Sequence, residues 1–235
     1  MADRIGMTRN INEEYLNTVA NCKIAGKSLL EARDILNAMI GMHIHAETNI
    51  KNTRIILLNT WYRNDPWFQE SCVKLAKQLP ETEWLPLHWA LLMIAYPVFY
   101  DLCTIIGGTL EYRDNVSSAQ IKGRISEVWG ARTTLLHALP KNLQTMKDIR
   151  VLEPLSLRGT YKPISHVVDD RHVMCILAAA ILKCSDHKYM TWEHIIHHPA
   201  LFPFEIRHVT QADIAACERF ILERMGDDVV IRLKE

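Results

Sequence analysis

Apolar residues recur at helical spacing along most of the chain. In LLEARDILNAMIGM the positions Leu29, Ala32, Ile35, Leu36 and Ile40 make one stripe, and NIKNTRIILLNTWYR continues with Ile50, Ile55, Leu57, Leu58 and Trp61. Recurrence at three- and four-residue intervals gives a helix one face to bury. Asp65 before Pro66 places a side-chain acceptor ahead of a residue whose φ is already set for a first turn, so PWFQESCVKLAKQL reads as the next helix. ETEWLP breaks the pattern. The stretch from 85 to 110, LPLHWALLMIAYPVFYDLCTIIGGTL, then reads as a central buried helix kinked near Pro97.

After Asp114 the pattern changes. Ser117-Ser118-Ala119-Gln120 fits a capping box, followed by a face of Ile121, Ile125, Val128 and Trp129. Gly130 is placed to end that helix in a left-handed conformation. A second helix starts at once with Ala131-Arg132-Thr133-Thr134 and buries Leu135, Leu139, Leu143 and Met146. Pro140 lacks an N–H, which predicts a kink or a split. A short β-hairpin follows: Val151 and Leu152 lead in, Leu157-Arg158-Gly159 turns, and Thr160-Tyr161-Lys162 returns. From Asp169 the chain reads as helical again, with Val173, Ile176, Leu177, Ala180, Ile181 and Cys184 at buried-helix spacing. Thr191 caps WEHIIHH. Thr210 caps a last amphipathic helix carrying Ile214, Cys217, Ile221 and Met225 and closed by Gly226, and DVVIRLKE suits a short strand. No internal repeat is visible. The fold expected is mainly α, multi-helical, with a central winged helix-turn-helix and a short β-hairpin wing. Its parts are an N-terminal helical domain (1–82), the winged helix (83–168) and a C-terminal helical region (169–235).

Composition adds little until its distribution is considered. The chain has 235 residues, 49% hydrophobic and 23% charged, which suits a sizeable core and no disordered tail. Lys plus Arg equals Asp plus Glu at 27 each, so net charge decides nothing. Between Val116 and Pro163, however, four Lys and four Arg face only Glu127, Asp148 and Glu153, a net charge of +5 that leaves −5 for the remainder. A basic segment in an otherwise acidic chain is the electrostatic footprint of a nucleic-acid contact. The second helix of the pair opens with Arg132, able to grip a guanine edge with two hydrogen bonds, and with Thr133 and Thr134, suited to phosphate or a thymine methyl. His137 shares the face of Thr133 one turn on. Lys122, Arg124 and Lys141 add positive charge to the same pair, and Arg158 and Lys162 lie where a wing would be charged. Double-stranded DNA is therefore the expected partner, with a homodimer reading two half-sites left open. The alternative is a protein-interaction scaffold, an assembly subunit of the same fold without DNA binding, because a +5 segment also serves as an ordinary solvated face.

Residues 117 to 163 resemble a winged-helix DNA-binding domain. A second resemblance spans residues 28 to 153. EARDILNAMI, then IKNTRIILLNTWYR, then WALLMIAYPVFYDL, then RTTLLHALPKNLQTMKDIRVLE reversing into a strand look like the small A-type accessory proteins of bacterial BREX phage-defence systems. That resemblance implies a helical protein with helix-turn-helix elements, DNA binding and a place beside other subunits. It does not extend over residues 165 to 235.

Other chemistry is less well supported. Cys184, His187, His194, His197 and His198 can each hold zinc, and His194 and His198 lie one turn apart. Glu193 precedes His194, so H-E-x-x-H is absent, and the reading is of histidines at a helix end. The six cysteines form no C-x-x-C pair and read as buried reduced thiols. No G-x-S-x-G, Walker or G-x-G-x-x-G pattern occurs, and Gly107-Gly108 follows a helix. Asp169-Asp170 reads as a helix cap before Arg171. The rings of Trp89, Tyr96, Phe99 and Tyr100 could stack bases, though a core-facing helix is the simpler account. Neither catalysis nor a metal or cofactor is expected. His88, Pro97, Asp101 and the glycine pair interrupt the apolar stretch well short of the roughly 20 residues a membrane span needs. MADRIGMTRN has no apolar signal core, so the expected location is the cytoplasm.

Overall fold

A computed structural model describes residues 6–130 and 132–234. Four helices come first: α1 (Glu13–Ile24), α2 (Leu29–Gly41), α3 (Glu47–Trp61) and α4 (Pro66–Ala76). Each opening has a local cause. Asn12 accepts from the Tyr15 N–H, Ser28 and Glu31 form a capping box, and Asp65 accepts from the N–H groups of Trp67 and Phe68 ahead of Pro66.

A 3₁₀ turn (Glu81–Glu83) leads into α5 (Leu85–Ala95) and α6 (Pro97–Leu110). The expected kinked helix is two helices bent by 118°. Tyr96, the residue before the proline, is extended at φ −137° and ψ 94°, as the proline ring disfavours the helical region there. Among the described residues no single helix is long and apolar enough to cross a membrane. The central position of α5 is correct: every residue from Pro86 to Met93 is buried. His88 sits inside this packing between the Trp61 indole N–H, 3.1 Å from its Nδ1, and Asn17 Oδ1, 2.8 Å from its Nε2. Trp89 Nε1 donates to the Ala200 carbonyl while its ring meets Phe99, Phe202 and Phe204 edge-on.

The chain then runs through β1 (Val116–Ser117), α7 (Ser118–Trp129), α8 (Thr133–Asp148), β2 (Leu152–Pro154) and β3 (Thr160–Pro163). These strands form an antiparallel sheet in the order β1-β3-β2. After β4 (His166–Val168) come α9 (Arg171–Cys184), β5 (Tyr189–Thr191), α10 (Trp192–Ile196), a 3₁₀ turn (Pro199–Leu201), β6 (Phe204–Ile206), α11 (Gln211–Ala215), β7 (Phe220–Met225) and β8 (Asp228–Leu233). The second antiparallel sheet has the order β5-β8-β7. The path helix, strand, helix, helix, strand, strand therefore occurs twice, from α6 to β3 and from α9 to β8, with the same strand order. No sequence repeat announces it. The helices preceding the two hairpins differ in length, 16 residues in α8 and 5 in α11, and β6 is inserted only in the second copy.

The linking strand β4 and helix α6 of the first copy both pack on the second copy. β4 pairs with β6 in parallel, His166 opposite Phe204 and Val168 opposite Ile206. α6 lies against the Pro199–Leu201 turn so closely that a Cβ on Gly107 would sit 1.9 Å from the Pro199 carbonyl oxygen.

The C-terminal region departs most from expectation. The last helix was expected to run from Thr210 to Gly226, but α11 ends at Ala215, and Ile221 and Met225 lie in β7, paired with β8. Gly226, at φ 65°, is the first residue of a two-residue hairpin turn between the opposed Met225 and Asp228. Two smaller corrections concern the central helices. Pro140 does not split α8, which runs continuously from Thr133 to Asp148. Val128 is 63% exposed and off the buried face of α7.

Candidate nucleic-acid interface

The candidate contact residues cluster on α7, α8 and the β2–β3 hairpin. Ser117 and Gln120 cap α7 reciprocally, as the spacing predicts. Gly130 ends the helix at φ 74° and ψ 162°, a positive φ open to glycine but not the left-handed helical conformation expected. The last turn of α7 is held from behind, where the Trp129 indole N–H donates to Asp101 Oδ2 on α6 at 2.6 Å.

α8 begins at Thr133, with Arg132 as its extended N-cap; Ala131 lies outside the described residues. Among the described residues no side chain caps this end. Its first-turn N–H groups therefore point outward beside Arg132, where the helix dipole favours an anion. Arg132, Thr133, Thr134, His137 and Lys141 are all exposed. The opposite face, made by Leu135, Ala138, Leu139, Asn142, Leu143 and Met146, is buried. Behind it runs the segment before α1. Asn142 Nδ2 donates to the Met7 carbonyl at 3.2 Å, and Thr145 Oγ1 accepts from the Ile11 N–H at 3.0 Å.

On α7, Lys122 and Arg124 are exposed. At the hairpin, Arg158 is exposed in the turn between β2 and β3, beside Leu157 at 72% exposure and Gly159 at φ 77°. Among the described residues, Lys122, Arg124, Arg132, Lys141 and Arg158 make no ion pair or hydrogen bond through their side chains. Lys162 differs: it faces Glu153 across the β2–β3 ladder and pairs with it at 3.1 Å. Two further cations escaped the reading of the sequence. Lys147 lies 5.9 Å from the Tyr161 ring centroid, and Arg150 is exposed at φ 58° where α8 turns into β2. Their place beside the hairpin depends on the β3 pairing, which no local spacing encodes.

The zinc candidates divide: Cys184, His187 and His198 border one cleft, and His194 and His197 lie outside it. His194 Nδ1 meets Thr191 Oγ1, His197 pairs with Glu193, and His198 accepts from the Ala200 N–H while its Nε2 meets the Tyr100 hydroxyl. No three His, Cys, Asp or Glu side chains among the described residues stand together as metal ligands. Tyr100, Asp101, Cys184 and His198 do line a cleft of about 600 Å³. Burial lowers the His198 pKa to about 4 and raises the Cys184 thiol to about 12. Near neutral pH these two groups are therefore an uncharged imidazole and a protonated thiol, a poor start for nucleophilic chemistry.

Comparison of the chain with protein-family models, with curated proteins and with solved structures returns no match.

Proposed function

We propose that the protein binds duplex DNA without catalysing a reaction on it, and that the α6–β3 unit acts as a winged helix-turn-helix. The observation that carries this reading is the exposed face of α8. It offers Arg132, Thr133, Thr134, His137 and Lys141 to solvent from the start of the helix, while the opposite face is anchored in the core. In this arrangement α7 supports α8, the first turn of α8 enters the major groove, and Arg158 at the hairpin tip reaches neighbouring phosphates. The helix and strand order and the β1-β3-β2 sheet support the same reading. An accessory role in bacterial phage defence, alongside other subunits, follows the resemblance of residues 28 to 153. Transcription regulation suits the same surface. A cytoplasmic location accompanies either role.

One observation favours a second reading, a protein-interaction scaffold. The part of the second copy from β5 onward follows the same path but is acidic. From Tyr189 to Lys234 five basic residues face seven acidic ones, a net charge of −2, and Asp227 and Asp228 occupy its hairpin tip. Such a tip repels phosphate, so the second copy is not expected to share a DNA contact with the first.

Gel-shift titration of random-sequence duplex at about 50 mM and about 200 mM salt tests the proposal. The expected result is a shift at the lower salt that weakens steeply at the higher. Absence of any shift at the lower salt would overturn DNA binding in favour of the scaffold.

A further inference from the structure

Two surfaces of this chain, one on its early helices and one at its last hairpin, are opposite in charge and alike in carrying exposed apolar side chains. The first is an open groove of about 410 Å³ on α2 and α3. Leu29 and Leu30 line it at 40% and 58% exposure, with the buried Leu58 between the helices. Arg33, Arg54 and Arg63 also line it, and among the described residues no acidic side chain does. Arg33 pairs with its neighbour Asp34 at 3.3 Å, and Arg54 donates to Asn37 Oδ1. Arg63 is exposed and, among the described residues, makes no ion pair or hydrogen bond through its side chain.

The second surface is the tip of the β7–β8 hairpin. Met225 stands opposite Asp228, so both project from one face of the hairpin, while Arg224 and its partner Val229 belong to the other. Arg224 Nε is turned back to the Gly226 carbonyl at 3.3 Å. Met225 is 48% exposed, and Asp227 and Asp228 are exposed. Among the described residues neither carboxylate has an ion pair or hydrogen bond. Farther along the same face Glu223 is already neutralised by Arg232 at 2.6 Å. The tip therefore presents one flexible apolar side chain beside two unpaired carboxylates.

We propose that the hairpin tip of one copy docks into the α2–α3 groove of a second copy. Met225 meets Leu29, Leu30 and Leu58, and Asp227 and Asp228 meet Arg63 and Arg54. An unbranched thioether suits an irregular apolar groove, and guanidiniums around the groove match carboxylates around the methionine. The two surfaces differ, so the contact runs head to tail, and each copy brings one groove and one tip. A single hairpin tip covers little area, which places the contact among weak and transient interfaces. Neither surface includes a residue of the exposed α8 face, so the proposal stands apart from the DNA reading.

Sedimentation velocity of the full-length protein without DNA, from about 5 to about 200 µM, tests the proposal. The expected result is association that grows with concentration and is at least about tenfold weaker at about 500 mM than at about 50 mM salt. A tip variant (Met225→Gln, Asp227→Asn and Asp228→Asn) and a groove variant (Leu30→Gln and Arg63→Gln) change exposed positions only, and melting curves check that both stay folded. Each alone should remain monomeric. Mixed in equal amounts they should form a heterodimer that grows no further, since the mixture holds one intact groove and one intact tip per pair. A wild-type protein that is monomeric at about 200 µM, a folded variant that associates as strongly as the wild type, or a mixture that stays monomeric would each overturn the proposal.

Discussion

The Trp129 indole N–H donates to Asp101 Oδ2 at 2.6 Å, so the last turn of α7 is tied to the middle of α6. Burial holds the Asp101 carboxyl above the usual carboxylate range, against the Trp129 hydrogen bond, which lowers it, and with Asp186, which adds to it. A carboxyl raised on folding favours the folded state most while protonated, and that contribution is lost as pH rises through the raised value. Asp101→Ala is expected to cost about 1–3 kcal/mol at neutral pH by leaving the indole N–H without its acceptor. Asp101→Asn keeps an acceptor, carries no charge, and should unfold above the alanine variant with this part of the pH dependence gone. Thermal unfolding of the three proteins from acid to neutral pH checks both.

Arg132→Ala should weaken binding at a preferred duplex site by roughly 1–3 kcal/mol if the guanidinium reads a base. Arg158→Ala should weaken all sequences about equally and lower the salt slope by about 1. Because Glu153 holds Lys162, Lys162→Ala should matter less than Arg158→Ala, and Glu153→Gln should strengthen binding by freeing the lysine. Titrations at several salt concentrations separate these effects. Equal losses from Lys162→Ala and Arg158→Ala would count against the geometry of the hairpin.

His88 makes acid stability a readout of the core. Burial lowers its pKa from 6.5 to about 3. A histidine lowered on folding contributes stability that is complete above its unfolded pKa and is lost as pH falls through 6.5 toward the folded value. Complete protonation would remove on the order of 5 kcal/mol. His88→Leu leaves Trp61 Nε1 and Asn17 without their partner, so it should be less stable at neutral pH yet fall less steeply in acid. Denaturant midpoints at neutral and acidic pH measure both slopes.

Two adjacent glycines should respond in opposite directions. A Cβ at Gly107 would lie 1.9 Å from the Pro199 carbonyl oxygen, so Gly107→Ala should destabilise by about 2–4 kcal/mol as backbone is forced apart. At Gly108 the nearest atom, Pro199 Cβ, is 4.0 Å away, an ordinary contact. Gly108→Ala should therefore stabilise by about 0.5–1 kcal/mol through helix propensity alone. Paired melting curves check the contrast.

Local chemistry made much of this fold legible. The Asp65-Pro66 start of α4, the Ser117–Gln120 box, the Leu135–Met146 face and the Gly159 turn all rest on spacings of a few residues, and the structure has each of them. What escaped depends on pairing at a distance. β1 exists only because Val116 and Ser117 meet Tyr161 and Thr160, and β6 only because it meets β4. Ile214, Cys217, Ile221 and Met225 fit a helical stripe, but the two-residue turn after Met225 places the second half of that stripe in a hairpin. The exposed stripe on α8 was readable as chemistry. The neutralisation of Lys162 was not, since it needs the β2–β3 register.

The anchoring of α8 by the Met7–Ile11 segment also has a consequence in time. The two hydrogen bonds span 135 and 134 positions, so Met7 and Ile11 leave the ribosome long before their partners Asn142 and Thr145 exist. At roughly 5–20 residues per second the interval is on the order of ten seconds. The Met7–Ile11 segment thus waits for α8 before it can be seated, and α8 is secured from behind only when that earlier segment closes over it. Nascent chains arrested before Asn142 should be cut readily by protease near Met7, and chains arrested far enough beyond Thr145 for α8 to clear the exit tunnel should be protected there.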